Sequence, residues 1–518
     1  MPIKNTYIQL NNYPVLPVNP CSDDDETFGI MVLELNPVKI TNRPIFILFT
    51  VDTTGSMGDC VKHANTKMQY AIQTLKSIMK YVSTQEADIY VQINTFNETI
   101  KTIVDPVKVS QHSLPDILET LNAIDADGST NIEAALTAAT ASITSYAQTY
   151  PTHSCVHIFM TDGEPTCGAT SSAELLKCIS TDYMSINIGF GTDHNAKLLC
   201  ELSNSKNSEY HFIDKLENAS LVYGESLHKV LYPCLQKVHI QVENGVIYDW
   251  TNNKWTTDVY ESTLIGEIKK YYHVKTKTPC DIVGTIKAEA VRQPEAVGIY
   301  TAHIEETVLK LPDLIDMDDN VVHDNTIIKF AFRQCILEVL YEAKHIHYGM
   351  SPEELNAKKQ QIKDLFDKIQ TYVAEHNMQK DGIITQLLND LYLAFWNIGA
   401  VDGGMYIFGR HSSQGNQQAH TPGNDRIKFN NVNNALNIPP VPVLRRLNRM
   451  NTQFEPHSLF DQHSQVNPPG SNLFTTNIPP INLVWPEEVG CDSADDEYSS
   501  YSTPGIKKTT DSIRLYDE

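Results

Sequence analysis

The sequence predicts an α/β fold: a doubly wound, mostly parallel sheet joined to a β-sandwich module, a small helical region and a disordered C-terminal tail. Three observations carry this. The run IFILFTV (45–51) is apolar but for Thr50, the mark of a strand covered on both faces. Between residues 45 and 235 strand-like and helix-like stretches alternate about six times, the rhythm of a parallel sheet wrapped by helices. Beyond that the strand candidates follow one another without helices, and after residue 325 helical periodicity returns alone.

Residues 1–43 hold two strand candidates, TYIQL (6–10) and FGIMVLEL (28–35), and are assigned to the β-module. The α/β domain is expected over 44–235. Its first strand is followed by Val61, Met68, Ile72, Leu75 and Met79 at helical spacing. ADIYVQINTF (87–96) is the next strand, and IKTIVDPVKV (100–109) is an edge strand, where Pro106 is tolerated. SLPDILETLNAI (113–124) and NIEAALTAATASI (131–143) are helical, CVHIFM (155–160) and MSINIGF (184–190) are buried strands, and EYHFI (209–213) is a further strand. A helix within 216–235 closes the domain.

The β-module continues over 236–310, where VHIQVENGVIYDW places Asn244-Gly245 as a hairpin signal. The helical region (325–400) contains three amphipathic stretches. Ser351-Pro352-Glu353-Glu354 forms a capping box with proline at the first helical position. From residue 409 to 518 the chain is rich in Asn, Gln, Pro and Ser, and is expected to be mostly disordered. His411 and His420 in that tail are read as composition and not as a metal site.

The bulk numbers narrow the function. At 518 residues the chain exceeds one hydrophobic core. Its formal net charge of -23 argues against nucleic acid and anionic membrane surfaces as partners. No stretch approaches the roughly 20 apolar residues of a membrane span. The first twenty residues lack an apolar signal-peptide core, and the ten cysteines are scattered without C-x-x-C pairs. An intracellular, cytoplasmic protein with reduced thiols is expected.

The chemistry concentrates on three segments. The first buried strand runs into Asp52-Thr53-Thr54-Gly55-Ser56, placing a carboxylate and hydroxyls at the strand's C-terminal end. That edge of a parallel sheet is where ligands bind. Gly128-Ser129-Thr130-Asn131 precedes a helix, and Thr161-Asp162-Gly163-Glu164 follows a buried strand. Together they offer Asp52, Thr54, Ser56, Thr130 and Asp162. Hard cations such as Mg²⁺ take oxygen ligands and keep several waters. Neutral hydroxyl ligands leave such an ion much of its charge, so it attracts a carboxylate from outside.

D-x-T-x-S, G-S-T-N and T-D-G-E in this order resemble the von Willebrand factor A domain, a Rossmann-like fold. The resemblance covers roughly residues 44–235 and implies that Asp52, Thr54, Ser56, Thr130 and Asp162 form its metal-ion-dependent adhesion site. It implies Mg²⁺ (or Mn²⁺) as cofactor, and a protein partner presenting Asp or Glu. NIGFGTDHNAKLLCELS and the Gly409–Gln414 stretch also resemble plant and protist proteins in which the A domain is followed by a Vwaint-like β-module and a helical region. Many of these are ubiquitin ligases with a RING finger. Residues 1–44 hold one cysteine and no histidine, so no RING can form there. In such proteins the A domain sits within the β-module, which implies that strands from 1–36 pair with strands from 237–306.

The expected function is metal-dependent protein–protein interaction without catalysis, with self-association through the helical region. A RING-less adaptor of the ubiquitin-ligase group is the first alternative. A metal-dependent hydrolase is the more distant one, since no histidine stands in the three loops to serve as a general base. Asp52-Thr53-Thr54-Gly55 lacks the Asp-Thr-Gly spacing and second copy of an aspartic protease. Asp59 is read as a favourable charge in the first helical turn. Asp125, Asp127 and Glu164 are read as solvated loop acids, and His63 as a surface or packing residue.

Overall fold

A computed structural model describes residues 8–11, 27–35, 43–59, 65–191, 194–214, 219–276, 282–291, 302–310, 325–346, 350–400, 403–423 and 498–516. The N-terminal strands β1 (Ile8–Asn11) and β2 (Thr27–Glu34) belong to the β-module. The α/β domain is built on β3 (Ile45–Asp52), β4 (Ile89–Phe96), β5 (Ile100–Lys108), β6 (Ser154–Thr161), β7 (Met184–Phe190) and β8 (Ser208–Ile213). Their order is β5-β4-β3-β6-β7-β8, all parallel except the edge strand β5.

The reason for the apolar run in β3 is visible in the packing. Ile45, Ile47, Phe49 and Val51 face one side, against Ala71, Leu75 and Ile78 of α1 (Lys67–Val82) and Leu121 of α2 (Leu114–Asn122). Phe46 and Leu48 face the other, against Ala139, Ile143 and Tyr146 of α3 (Ile132–Thr149). Alternate residues thus enter two different cores. The Phe46 and Tyr146 rings stack with centroids 3.7 Å apart. The short helices α4 (Ser172–Leu175) and α5 (Ala196–Leu202) and the wholly buried α6 (Ala219–Leu231) complete the domain.

The β-module follows with β9 (Pro233–Glu243), β10 (Val246–Asp249), β11 (Lys254–Thr256), β12 (Asp258–Ile265), β13 (Lys269–Thr276), β14 (Val283–Val291) and β15 (Ala302–Lys310). Its two sheets run β1-β2-β13-β10-β11 and β12-β9-β14-β15. β2 pairs antiparallel with β13 over eight residues, from Thr27 opposite Thr276 to Glu34 opposite Lys269. Met31 and Leu33 share a core with Val238, Ile240 and Ile286 of the other sheet. Asn244-Gly245 differs from its sequence reading. β9 and β10 are not a hairpin but lie in different sheets, and the turn carries the chain across. Asn244 supplies a left-handed φ of 61°. A Cβ at Gly245 would lie 2.8 Å from the Lys275 carbonyl, so glycine permits the crossing chain to meet β13.

The helical region comprises α7 (Asn325–Lys344), α8 (Pro352–Glu375), α9 (Gly382–Asn397) and α10 (Gly403–Asn416). The capping box of Ser351 and Glu354 opens α8. The tail expected over 409–518 needs amending at its two ends. Residues up to 423 are folded as α10 and a turn, and 498–516 are folded around α11 (Pro504–Arg514). Residues 424–497 lie outside the described residues. α10 escapes a search for apolar periodicity because it buries polar groups. Arg410 Nη1 donates to Asp390 Oδ1 at 2.8 Å, Gln414 Nε2 donates to Asp390 Oδ2 at 2.7 Å, and Arg410 Nε donates to the Pro422 carbonyl at 2.6 Å. His411 and His420 are buried here too, as parts of the packed interior and not of a loose tail.

Candidate metal centre

β3 and β6 end level with each other because Val51 is in register with Met160. The next residues, Asp52 and Thr161, therefore meet, and the Thr161 hydroxyl donates to Asp52 Oδ2 at 2.5 Å. The chain leaves β3 through a 3₁₀ turn, Gly55–Gly58, and the Thr54 N–H donates to Asp52 Oδ1 at 2.9 Å. The Thr54 and Ser56 hydroxyls lie 3.1 Å apart, and Ser56 Oγ donates to Asp162 Oδ1 at 2.8 Å.

The second loop is sewn to the first by backbone bonds. The Asp127 N–H donates to the Thr53 carbonyl at 2.7 Å, and the Gly55 N–H to the Gly128 carbonyl at 3.1 Å. Gly128 has φ +87°, and a Cβ there would stand 2.5 Å from Glu98 Oε2, so this turn requires glycine. The third loop is tied to the second where the Thr166 and Cys167 N–H groups donate to the Thr130 carbonyl. Thr130 Oγ1 reaches the centre: a Cβ built on Gly163 would be 3.3 Å from it and 3.7 Å from Asp52 Oδ2. Asp52, Thr54, Ser56, Thr130 and Asp162 are thus gathered at one sheet edge.

Asp52, Thr54, Thr130 and Asp162 are buried and Ser56 is half-buried, beside exposed Gly55 and Glu164. Burial, and then the neighbouring charge of Asp162, push the Asp52 carboxyl up to about 6, although hydrogen bonds from Thr161 and Thr54 act the other way. Two adjacent buried carboxylates make strong demand for positive charge. Among the described residues no group of three or more His, Cys, Asp or Glu side chains is placed so that it could hold a metal ion. The donors here are of another kind, two carboxylates with three hydroxyls, all oxygen. Such a set fits a hard divalent cation that retains water.

A sixth residue, Lys67, was not legible as part of the site. Its ammonium lies 2.6 Å from Asp162 Oδ2. α1 starts at Lys67 and not near Val61, with Thr66 and Gln69 forming a reciprocal capping box at its N-terminus. Val61 and His63 lie outside the described residues. The Thr66-x-x-Gln69 spacing was the available signal, since it puts Lys67 at the first helical position, over the strand ends. The same geometry corrects Asp59. It closes the 3₁₀ turn, its N–H donating to the Ser56 carbonyl at 3.1 Å, and does not stand in the first turn of α1. Asp125, Asp127 and Glu164 are solvent-exposed, as loop acids would be.

The three-loop site on a doubly wound sheet defines a class, and comparison agrees with it. Residues 47–223 match the family model of the von Willebrand factor type A domain, so the chain carries such a domain. It is similar to human inter-alpha-trypsin inhibitor heavy chain H1, 23% identical over 226 residues, and to heavy chain H6, 26% identical over 216 residues. These alignments cover 42% and 39% of this chain but only 24% and 16% of the relatives. Among solved structures, a von Willebrand factor type A protein from Catenulispora acidiphila shares the fold, with a TM-score of 0.51 at 14% identity over 74% of this chain and 89% of that one.

Proposed function

We propose that this protein is a metal-dependent protein-interaction module. Asp52, Thr54, Ser56, Thr130 and Asp162 would hold Mg²⁺ (or Mn²⁺), which when bound supplies an electrophilic attachment point for an Asp or Glu of a partner. The observation that carries this is the meeting of three hydroxyls and two buried carboxylates at the sheet edge, half-open at Ser56. The chain's own residues do three things. The backbone bonds between the loops fix the donors before any ligand arrives, which lowers the ordering cost of binding. The hydroxyls add oxygen without adding charge. The carboxylates supply the negative field.

The role is binding and not catalysis. Ser56 Oγ donates to Asp162, and the other oxygen of Asp162 is held by Lys67. A carboxylate engaged by an ammonium is a weak base and a poor activator of that hydroxyl.

The test is binding of a library of Asp- and Glu-containing peptides to the full chain, in Mg²⁺ and in EDTA. Carboxylate peptides are expected to bind in Mg²⁺ alone, and at least about a hundredfold more weakly to Asp162→Ala, by analogy with losses of metal-site partners. Equal binding in EDTA, or by the variant, would refute the reading.

A further inference from the structure

Lys67 is the first residue of α1, and its side chain is 6% exposed while that of Asp162 is fully buried. The Thr66–Gln69 capping box fixes its backbone over the sheet edge. Met68, Ala71, Ile72 and Leu75 of the same helix enter the apolar core, whereas Lys67 reaches 2.6 Å from Asp162 Oδ2. Lysine is seldom buried without a partner. Here its ammonium brings positive charge to the place where Asp52 and Asp162 concentrate negative charge.

We infer that Lys67 is a built-in competitor of the divalent cation: its ammonium and the ion claim the same carboxylate, and binding of one expels the other. The inference rests on the metal-binding reading above. Two cations a few ångström apart in a low-dielectric site repel strongly. The lysine stem is long and flexible, and it starts at the helix terminus, so the ammonium can swing toward water without unwinding α1. Lys67 therefore sets a concentration threshold for the ion. A partner carboxylate adds negative charge beside the ion and tips the competition toward it, so partner and ion each strengthen the other's binding. A lysine that merely oriented Asp162 would have the opposite signature, because removing it would loosen a ligand.

Mg²⁺ titrated calorimetrically into the full chain distinguishes the two. Lys67→Met keeps the apolar stem and removes the charge, and is expected to bind Mg²⁺ at least about tenfold more tightly than wild type. In EDTA it should unfold at a lower temperature than wild type, and saturating Mg²⁺ should raise its Tm by more. Lys67→Arg keeps the charge and should not gain affinity. Lys67→Gln, a milder change, provides the comparison if the methionine variant does not fold. Tight binding by the uncharged variant alone, with none by wild type, supports the competition in its strongest form. Unchanged or weaker Mg²⁺ binding by folded Lys67→Met or Lys67→Gln, beside a wild type that does bind, overturns it while leaving the metal site intact. Uptake by neither protein overturns the metal reading, and the competition with it.

Discussion

Asp390→Leu is expected to lower stability by about 3–5 kcal/mol, the cost of stripping a buried guanidinium of its carboxylate. Asp390 is fully buried between Arg410 and Gln414, and joins α9 to α10. The same network reaches α7 and the C-terminal segment, since Arg333 Nη2 donates to the Gln414 carbonyl and the Tyr501 hydroxyl donates to Gln414 Oε1. Arg410→Met should behave differently with pH. Burial pushes the Asp390 carboxyl up to about 6, against the pull of Arg410 and Gln414. A folded value above the unfolded 3.8 adds stability below 3.8, and that contribution is lost as pH rises through about 6. Without Arg410 the carboxyl can still take a proton, so the cost of Arg410→Met should shrink on going from pH 8 to pH 5. The guanidinium left by Asp390→Leu cannot shed its proton, and this variant also lacks the low-pH contribution of the Asp390 carboxyl, so its cost should grow and not shrink from pH 8 to pH 5. Denaturant unfolding at both pH values measures this. The same pH response in both variants, or a cost under about 1 kcal/mol, would contradict the network's role.

The second large effect concerns α11, which lies on α6 and α1. Gly224 in the middle of α6 is a point of close approach between the two helices. A Cβ there would stand 2.0 Å from Thr510 Oγ1 and 2.8 Å from Thr510 Cα. Backbone this close cannot yield by a rotamer change alone. Gly224→Leu is therefore expected to lift α11 and release the buried Ile506 and Ile513, side chains worth about 1.5–3 kcal/mol each when buried. Amide hydrogen exchange should rise together in α6 and α11, and residues 498–516 should become open to proteolysis. Unchanged exchange in α6 would mean that α11 contributes nothing to holding it.

The sequence disclosed most where one physical rule acted alone. β3 was legible because helices cover both its faces, leaving Thr50 as the one polar residue between Ile45 and Val51. That Asp52, Thr54, Ser56, Thr130 and Asp162 come to one sheet edge was legible through the likeness of the three loop motifs to the von Willebrand factor A pattern. Reading failed where two rules competed. Asn244-Gly245 satisfies a hairpin turn, yet Val246 and Ile247 pair with β13 instead, because the apolar face of β10 belongs to the other sheet. α10 opens with Gly403-Gly404 and buries Arg410, His411 and Gln414, so helix propensity and periodicity both pointed away from it. Tertiary contacts to α9 and α7 decide it. Lys67 was hidden for a related reason. Its partner lies 95 residues away, on a strand end brought close only by the register of β3 and β6.

The decisive question is whether a divalent ion sits among these side chains. Anomalous diffraction from crystals grown with Mn²⁺ addresses it directly. The predicted result is one strong peak within coordination distance of the Ser56 and Thr54 hydroxyls and of Asp162, with the Lys67 ammonium turned away from that carboxylate. A folded protein with Mn²⁺ bound elsewhere, and Lys67 still on Asp162, would contradict it.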